Sequence, residues 1–229
     1  MIIILTSFTS LLFYFDINNR TANDVAIVRG NDQSDKVALT FNLSWGNEEI
    51  YRILHTLYQN NIQANFFISG EWAEGHPHIL DEIIDGKHEI GLLGYRFTNY
   101  LNDDLDVMKQ DITTGYDTLK KFEIKPNFIR APKGQFHDDL KEHIKQFDLH
   151  LVHYTTNSKD LEAKNEDDIV KQLIKTTENG SIILMHGSDS ALFTAEALEK
   201  ALPRLKKQFN FVSLSQLFHD IDIEEEQIN

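Results

Sequence analysis

The sequence contains no cysteine among its 229 residues. Without thiols the chain can form neither a disulfide framework nor a thiolate metal site, and it has no cysteine nucleophile. This absence fits an exported protein that lacks disulfides as well as a cytosolic protein, so it does not decide the compartment.

Basic residues are few relative to acidic ones. The chain has 22 Lys and Arg against 36 Asp and Glu, which gives a net charge of −14 at pH 7. Proteins bind nucleic acids and anionic membranes through clustered Lys and Arg. The composition therefore argues against nucleic acid as a partner and favours a neutral or weakly cationic ligand.

No apolar run is long enough to cross a membrane comfortably. Residues 1–15 are uncharged and mostly apolar, but a spanning helix needs about 20 residues, and the positive start of a secretory signal is missing. We interpret 1–15 as a truncated signal-anchor, with a first core element as the alternative. A polar stalk over 16–35 and an acidic tail over 220–229 complete the ends. This organisation predicts an extracytoplasmic protein, membrane-anchored or exported.

Residues 36–219 are predicted to form one domain in which strands and helices alternate. Strands separated by helices of this length pair in parallel, in a barrel or a doubly wound sheet, and function then lies at the carboxyl ends of the strands. The predicted strands cover 37–41, 64–70, 88–95, 127–132, 148–155, 181–187 and the start of 209–218. The predicted helices cover 48–61, 78–85, 105–121, 138–147, 167–177 and 194–208.

Five sequence motifs follow or include these strand ends. They read TFNLSWG, GKHEIGLLGYRFTNY, IRAPKGQF, TTNSKDL and IILMHGSDSA. In this order they resemble the motif series of the NodB-homology polysaccharide deacetylases over Val37 to Phe218, and they are most similar to the PdaB-like sporulation group. The resemblance implies an α/β fold of the deformed (β/α) barrel type. It also implies removal of acetyl groups from N-acetylglucosamine or N-acetylmuramic acid in glycans, with a divalent metal such as zinc.

Four positions depart from that family pattern. Typical members have two aspartates, a base and a metal ligand, where this chain has Asn42 and Leu43, and two histidines where it has Leu93 and Phe97. A catalytic zinc site needs at least three nitrogen or oxygen ligands. Leucine and phenylalanine offer none, and an amide cannot take a proton from water at neutral pH. The sequence therefore predicts no metal cofactor and no metal-dependent deacetylation.

The other half of the family site is retained. The resemblance assigns His186 as the general acid, Asp160 as the carboxylate that orients it, and Arg130 as the partner of the base, a partner that is lost with Asn42. The alternative for His186 is a structural histidine. Residues predicted to bind substrate are Asn42, Trp45, Tyr95, Pro132, Lys133, Gly134 and Leu184. Among them Lys133 would act through its backbone amide as an oxyanion donor, whereas Trp45 could equally be packing, and Pro132 and Gly134 could only shape a turn.

A relocated metal site is not favoured by the remaining histidines. His76 and His78 are predicted to begin a helix, and the spacing of His150 and His153 along a strand places them on opposite sides. Arg96 could occupy the place of the missing cation, but the favoured interpretation is that it points to solvent or pairs with a surface carboxylate.

Three functions remain open. The first is a monomeric envelope protein that binds N-acetylated glycan such as peptidoglycan, in sporulation or cell-wall maintenance. The second is a metal-free hydrolase that acts on the same glycans through His186 and Asp160. The third is a structural module whose partners are proteins.

Overall fold

The computed structural model describes residues 26–219. The predicted signal-anchor, residues 16–25 of the predicted stalk and the acidic tail lie outside the described residues. In chain order the strands are β1 (Lys36–Leu43), β2 (Asn65–Ile68), β3 (Glu89–Leu92), β4 (Phe128–Ile129), β5 (His150–Leu151), β6 (Thr156–Asn157), β7 (Ile182–His186) and β8 (Asn210–Phe211). The α-helices are α1 (Glu49–Asn60), α2 (Gly70–Gly75), α3 (Pro77–Asp85), α4 (Leu105–Lys121), α5 (Asp139–Lys145), α6 (Glu166–Thr176), α7 (Thr194–Leu205) and α8 (Leu214–Phe218).

The strands form one parallel sheet. Its order is β5-β4-β3-β2-β1-β7-β6, with β8 beside the start of β1. Parallel neighbours need a crossover connection, and the helices supply most of these. In the part of the chain that the structure describes, β5 and β6 do not pair, so the ring of strands is incomplete. The predicted deformed (β/α) barrel is confirmed.

Residues 26–30 lie at this gap, where they pair with the β5 region on one side and with residues just before β7 on the other. The Ile27 amide donates to the Leu151 carbonyl over 2.8 Å, and the Gly30 amide donates to the Gly180 carbonyl over 2.8 Å. Ala26 is buried. Residues 26–30 of the predicted stalk therefore pack on the domain, because they satisfy backbone groups that the open ring would leave unpaired.

Alternation along β1 separates two layers of core. Leu39, Phe41 and Leu43 belong to the larger cluster, which packs the sheet against the helices. Ala38 belongs to a second cluster inside the barrel. Since successive side chains point to opposite faces, Asn42 lies on the inner face with Ala38, at the carboxyl end of the strand. The fold thus places this polar residue at the mouth of the barrel.

Two elements differ from the sequence prediction. The predicted strand 64–70 ends at Ile68, and α2 begins at Gly70. This helix has only six residues, two of which are glycine, so the sequence shows no helical periodicity there. Within the strand predicted over 148–155, only the two residues of β5 form a strand. A separate strand, β6, which the sequence did not predict, follows it. Among residues 26–219, every helix is too short or too polar to cross a bilayer.

Candidate functional site

Three side chains lie side by side where β2, β1 and β7 end. Asn42 is the register partner of Phe67 on one side and of His186 on the other. Register partners in a sheet project to the same face, so all three face the barrel interior. We use the name strand-end site for Asn42, Arg130, Asp160 and His186.

The structure brings His186 and Asp160 together, as the sequence predicts. His186 Nδ1 lies 2.8 Å from Asp160 Oδ1, and the Asp160 side chain is fully buried. The same carboxylate accepts from the His186 amide at 2.6 Å, from Thr194 Oγ1 at 3.0 Å and from the Leu161 amide at 3.1 Å. Because Nδ1 is held, Nε2 is the nitrogen left for a ligand or a proton.

Arg130 lacks the aspartate partner of typical family members, but its guanidinium forms a hydrogen bond with the Asn42 amide instead. Arg130 Nη1 donates to Asn42 Oδ1 over 3.1 Å, and Nη2 donates to the His153 carbonyl over 3.0 Å. Its Nε donates to the Val152 carbonyl over 3.4 Å. The amide of Asn42 keeps one acceptor oxygen, so it can replace the hydrogen bond of a carboxylate although not its charge.

The guanidinium of Arg130 is buried without a negative charge beside it. Its exposed fraction is 1%, and among residues 26–219 no carboxylate forms an ion pair with it. It lies over the Phe67 ring at 4.1 Å from the centroid, a cation–π contact. Burial lowers the pKa of Arg130 to about 9. The inner end of the site therefore carries a positive charge that no carboxylate of residues 26–219 pairs with.

The residues at the metal-ligand positions do not fit a metal ion. Leu43 and Leu93 are completely buried, and they belong to the outer and the inner hydrophobic cluster respectively. Phe97 is 41% exposed. Within residues 26–219, no three His, Asp or Glu side chains come together in a way that could hold a metal. No step of the family's metal chemistry can be derived from these side chains.

The loop after β3 is nevertheless held firmly by Asp111 of α4. The buried carboxylate accepts from the Tyr95 amide at 3.0 Å, the Arg96 amide at 2.8 Å and the Tyr100 hydroxyl at 2.7 Å. Gly94 adopts a φ of +75°, and a side chain there would collide with Asp111 and Tyr100. Burial raises the pKa of Asp111, and the three hydrogen bonds oppose that rise. The loop keeps its conformation although it carries no metal ligand.

The turn after β4 has the form that its sequence indicates. Pro132–Gly134 is a short 3-10 helix in which Lys133 and Gly134 have φ values of +58° and +72°. A Cβ on Gly134 would lie 3.1 Å from His153 Cε1. Pro132 and Gly134 thus shape the turn, and the Lys133 side chain is exposed. The role of the Lys133 amide as a donor stays a prediction.

The other predicted binding residues lie at different depths. Trp45 is 62% exposed in the loop after β1. Leu184 is buried two residues before His186 on β7, and it therefore points to the same inner face. The Tyr95 hydroxyl donates to Glu74 Oε2 over 3.0 Å. Arg96 Nε lies 3.9 Å from Glu71 Oε1 with both side chains exposed, which confirms the favoured surface pairing.

Within residues 26–219, no metal site is formed by the two histidine pairs considered in the sequence, His76 with His78 and His150 with His153. His76 lies at the start of α3, where its ring stacks on Trp72, and His78 is exposed. His150 is exposed, whereas His153 is partly buried against Tyr154.

Sequence reasoning missed three residues that support the site. These are Phe67 under Arg130, Thr194 on Asp160 and Asp111 under the loop after β3. Only Asp111 had a signal in the sequence, because it lies on the same face of α4 as Met108, Ile112 and Leu119, an apolar stripe on which a charge is out of place. Phe67 and Thr194 have side chains that ordinary packing would also explain.

Comparison with known proteins finds relatives in two Bacillus species. It is 26% identical over 187 residues to the uncharacterized protein YlxY of Bacillus subtilis strain 168, covering 79% of this chain and 56% of that protein. It is 29% identical over 187 residues to a peptidoglycan-N-acetylglucosamine deacetylase of Bacillus cereus, covering 80% of this chain and 68% of that enzyme. The chain thus spans little more than half of the first relative.

A solved structure shares the fold. BA3943 of Bacillus anthracis, described as a CE4 family pseudoenzyme, superposes with a TM-score of 0.79 and 26% identity, covering 84% of this chain and 68% of that one. A mutant of BA3943 is described as having restored enzymatic activity. The polysaccharide deacetylase model matches residues 29–152, more than half of the sequence. The chain therefore belongs to the polysaccharide deacetylase family.

Proposed function

We propose that the protein binds N-acetylated glycan of peptidoglycan at the strand-end site and does not carry out metal-dependent deacetylation. One observation carries this proposal. The contacts between Asp160 and His186 and between Arg130 and Asn42 are both formed, while Leu43 and Leu93 are packed into the two cores. The polar contacts of the site are therefore present, whereas the side chains at the metal-ligand positions cannot bind a metal.

Two further observations support a glycan as the ligand. The Bacillus cereus relative is a peptidoglycan-N-acetylglucosamine deacetylase. Trp45 exposes most of its indole in the loop that follows Asn42 and Leu43, and an exposed aromatic face is suited to packing against a sugar ring. We place the protein outside the cytoplasm as a monomer, in cell-wall maintenance or sporulation, which fractionation and gel filtration would test.

The experiment measures binding and acetate release together. The full-length protein is incubated with N-acetylated peptidoglycan fragments, with and without a chelator, alongside H186A. The exposed His78 supplies a matched control, H78A. Saturable binding without acetate release supports the proposal. Acetate release that a chelator stops would overturn it, because a metal would then be held by residues that the structure does not bring together.

A second candidate is a metal-free hydrolase, and the 2.8 Å contact between His186 and Asp160 favours it. In this reaction His186 Nε2 takes a proton from water as the water oxygen attacks the acetamide carbonyl. The carbon–nitrogen bond then breaks, the sugar amine receives that proton, and acetate is the other product. This candidate predicts acetate release that resists a chelator and is lost in H186A but not in H78A.

A further inference from the structure

Among residues 26–219, the positive charge of Arg130 has no negative partner. Its guanidinium donates to one amide oxygen and two backbone carbonyls, and its face rests on Phe67. An ion removed from water costs several kcal/mol unless an opposite charge compensates it. The inner end of the strand-end site is therefore an environment that favours an anion.

The side chain of Asn42 extends this charge toward the site. A guanidinium can only donate, so the amide oxygen must face Arg130 and the amide nitrogen must point away from it. Asn42 is 8% exposed, and its Nδ2 has no hydrogen-bond partner among residues 26–219. Donation from Arg130 to Oδ1 also polarises the amide, which strengthens its N–H groups as donors.

His186 supplies a second group beside this amide. It is the register partner of Asn42 on β7, and its side chain keeps 17% of its surface exposed. Since Nδ1 is held by Asp160, Nε2 is left on the same face of the sheet as the Asn42 amide. The negative charge of Asp160 is surrounded by its four donors and is fully buried, so it is not directed at a ligand.

We propose that the strand-end site recognises a carboxylate, which accepts hydrogen bonds from Asn42 Nδ2 and from Nε2–H of a doubly protonated His186 over the buried charge of Arg130. This carboxylate belongs to an acidic sugar of the bound glycan. The inference rests on the proposed function, since it names the group by which the glycan is recognised. It differs from the expectation drawn from the net charge of −14. Surface charges are screened over about 8 Å at physiological salt, whereas Arg130 acts at short range in a desolvated place.

The test compares two pairs of probes that differ in charge and little else. Acetate is compared with acetamide, and glucuronate with glucose, at an ionic strength held constant with sodium chloride. Binding to the full-length protein is followed by calorimetry. The variant N42D supplies the missing carboxylate from the protein itself. N210D adds the same charge at an exposed residue beside the start of β1, at the opposite end of the strand from Asn42.

The carboxylates are expected to bind and their neutral counterparts are not. N42D should weaken the binding of acetate and of glucuronate by at least about tenfold, and N210D should leave it within about twofold. Equal binding of acetate and acetamide would overturn the proposal, and so would full binding by a folded N42D. Binding of acetate without glucuronate would overturn the assignment to an acidic sugar.

A parallel titration with an uncharged N-acetylglucosamine oligomer separates this inference from the proposed function. If the oligomer binds and neither carboxylate does, the inference fails and glycan binding stands. If acetate binds and neither the oligomer nor glucuronate does, the site selects a carboxylate and the proposed function fails.

Discussion

Arg130 and Asn42 share a buried hydrogen bond of 3.1 Å in which one partner carries a charge and the other carries none. The bond keeps the arginine in place at the carboxyl end of the barrel. It does not supply the charge attraction of an ion pair, and the effect of this missing attraction on stability can be measured.

Replacing Asn42 by aspartate should stabilise the fold at neutral pH. The arginine is already desolvated, so a carboxylate at this position gains its attraction without a further cost of burying Arg130. We expect the free energy of unfolding to rise by about 1–3 kcal/mol at pH 7. Urea denaturation of N42D and the wild type measures this difference.

The pH dependence gives the control for N42D. A carboxylate beside Arg130 has a pKa below its unfolded value of about 4, so the added stability is present above that value and is lost as the pH falls through the lowered pKa. A gain in N42D that persists unchanged at pH 2 would contradict this account. N42A, which removes the acceptor, should be less stable than the wild type at every pH.

Removing the carboxylate of Asp111 should loosen the loop after β3. Three donors lose an acceptor, of which two are backbone amides, so D111A should lower the free energy of unfolding by about 2–4 kcal/mol. Hydrogen exchange at the Tyr95 and Arg96 amides should accelerate in the folded state. D117A on the exposed face of the same helix is the control. Unchanged exchange at these two amides in D111A would show that other contacts hold the loop.

Two histidines should make the protein sensitive to mild acid. His88 Nδ1 accepts the Ala64 amide over 3.1 Å, and burial lowers the pKa of His88 from 6.5 to about 4. Burial, followed by the charge of Arg130, lowers the pKa of His153 to about 4 as well. Because the unfolded chain binds these protons first, stability is lost as the pH falls from 6.5 toward 4.

The measurement is the Tm as a function of pH in four proteins. H88Q and H153Q should each reduce the fall in Tm between pH 6.5 and 4, and H78Q, at an exposed histidine, should follow the wild type. If H88Q and H153Q both retain the full slope, the acid sensitivity has another origin.

Zinc should not stabilise the wild type, but it should stabilise a variant that regains the ligands. In L43D/L93H/F97H the loop after β3 would present its histidines on a backbone that Asp111 already holds. We expect the Tm of this variant to rise when zinc is added and to fall again with a chelator. The single variant F97H is the control, because one ligand does not hold the metal. A zinc-dependent rise in the wild type would show that other residues bind it.

Much of the site could be predicted because its residues follow strands. Asp160 and His186 are distant in the chain, yet both lie at carboxyl ends of parallel strands, which meet at one edge of the sheet. The resemblance implied that Arg130 lies beside position 42, but its hydrogen bond to the Asn42 amide could not be predicted, since a guanidinium donates to any nearby oxygen and only distances decide which one. For the same reason, the sequence could not show that the buried charge of Arg130 lies beside a neutral amide.

The local errors have physical causes of the same kind. Helix α2 lasts six residues and begins and ends with glycine, so neither its length nor its propensity distinguishes it from a loop. Residues 26–30 alternate too briefly to signal a strand, and they are ordered by the partners that the gap offers. Strand pairing that depends on distant segments cannot be predicted from the local sequence.

The segment that crosses the gap also has a consequence for association between molecules. Ile27 uses the Leu151 carbonyl and the His153 amide of the outermost strand region of the sheet. If residues 26–30 were removed, β5 would become a free edge with hydrogen-bonding groups open to another chain, and such edges promote aggregation. A version that begins at residue 31 should therefore self-associate even if every residue of the strand-end site is intact.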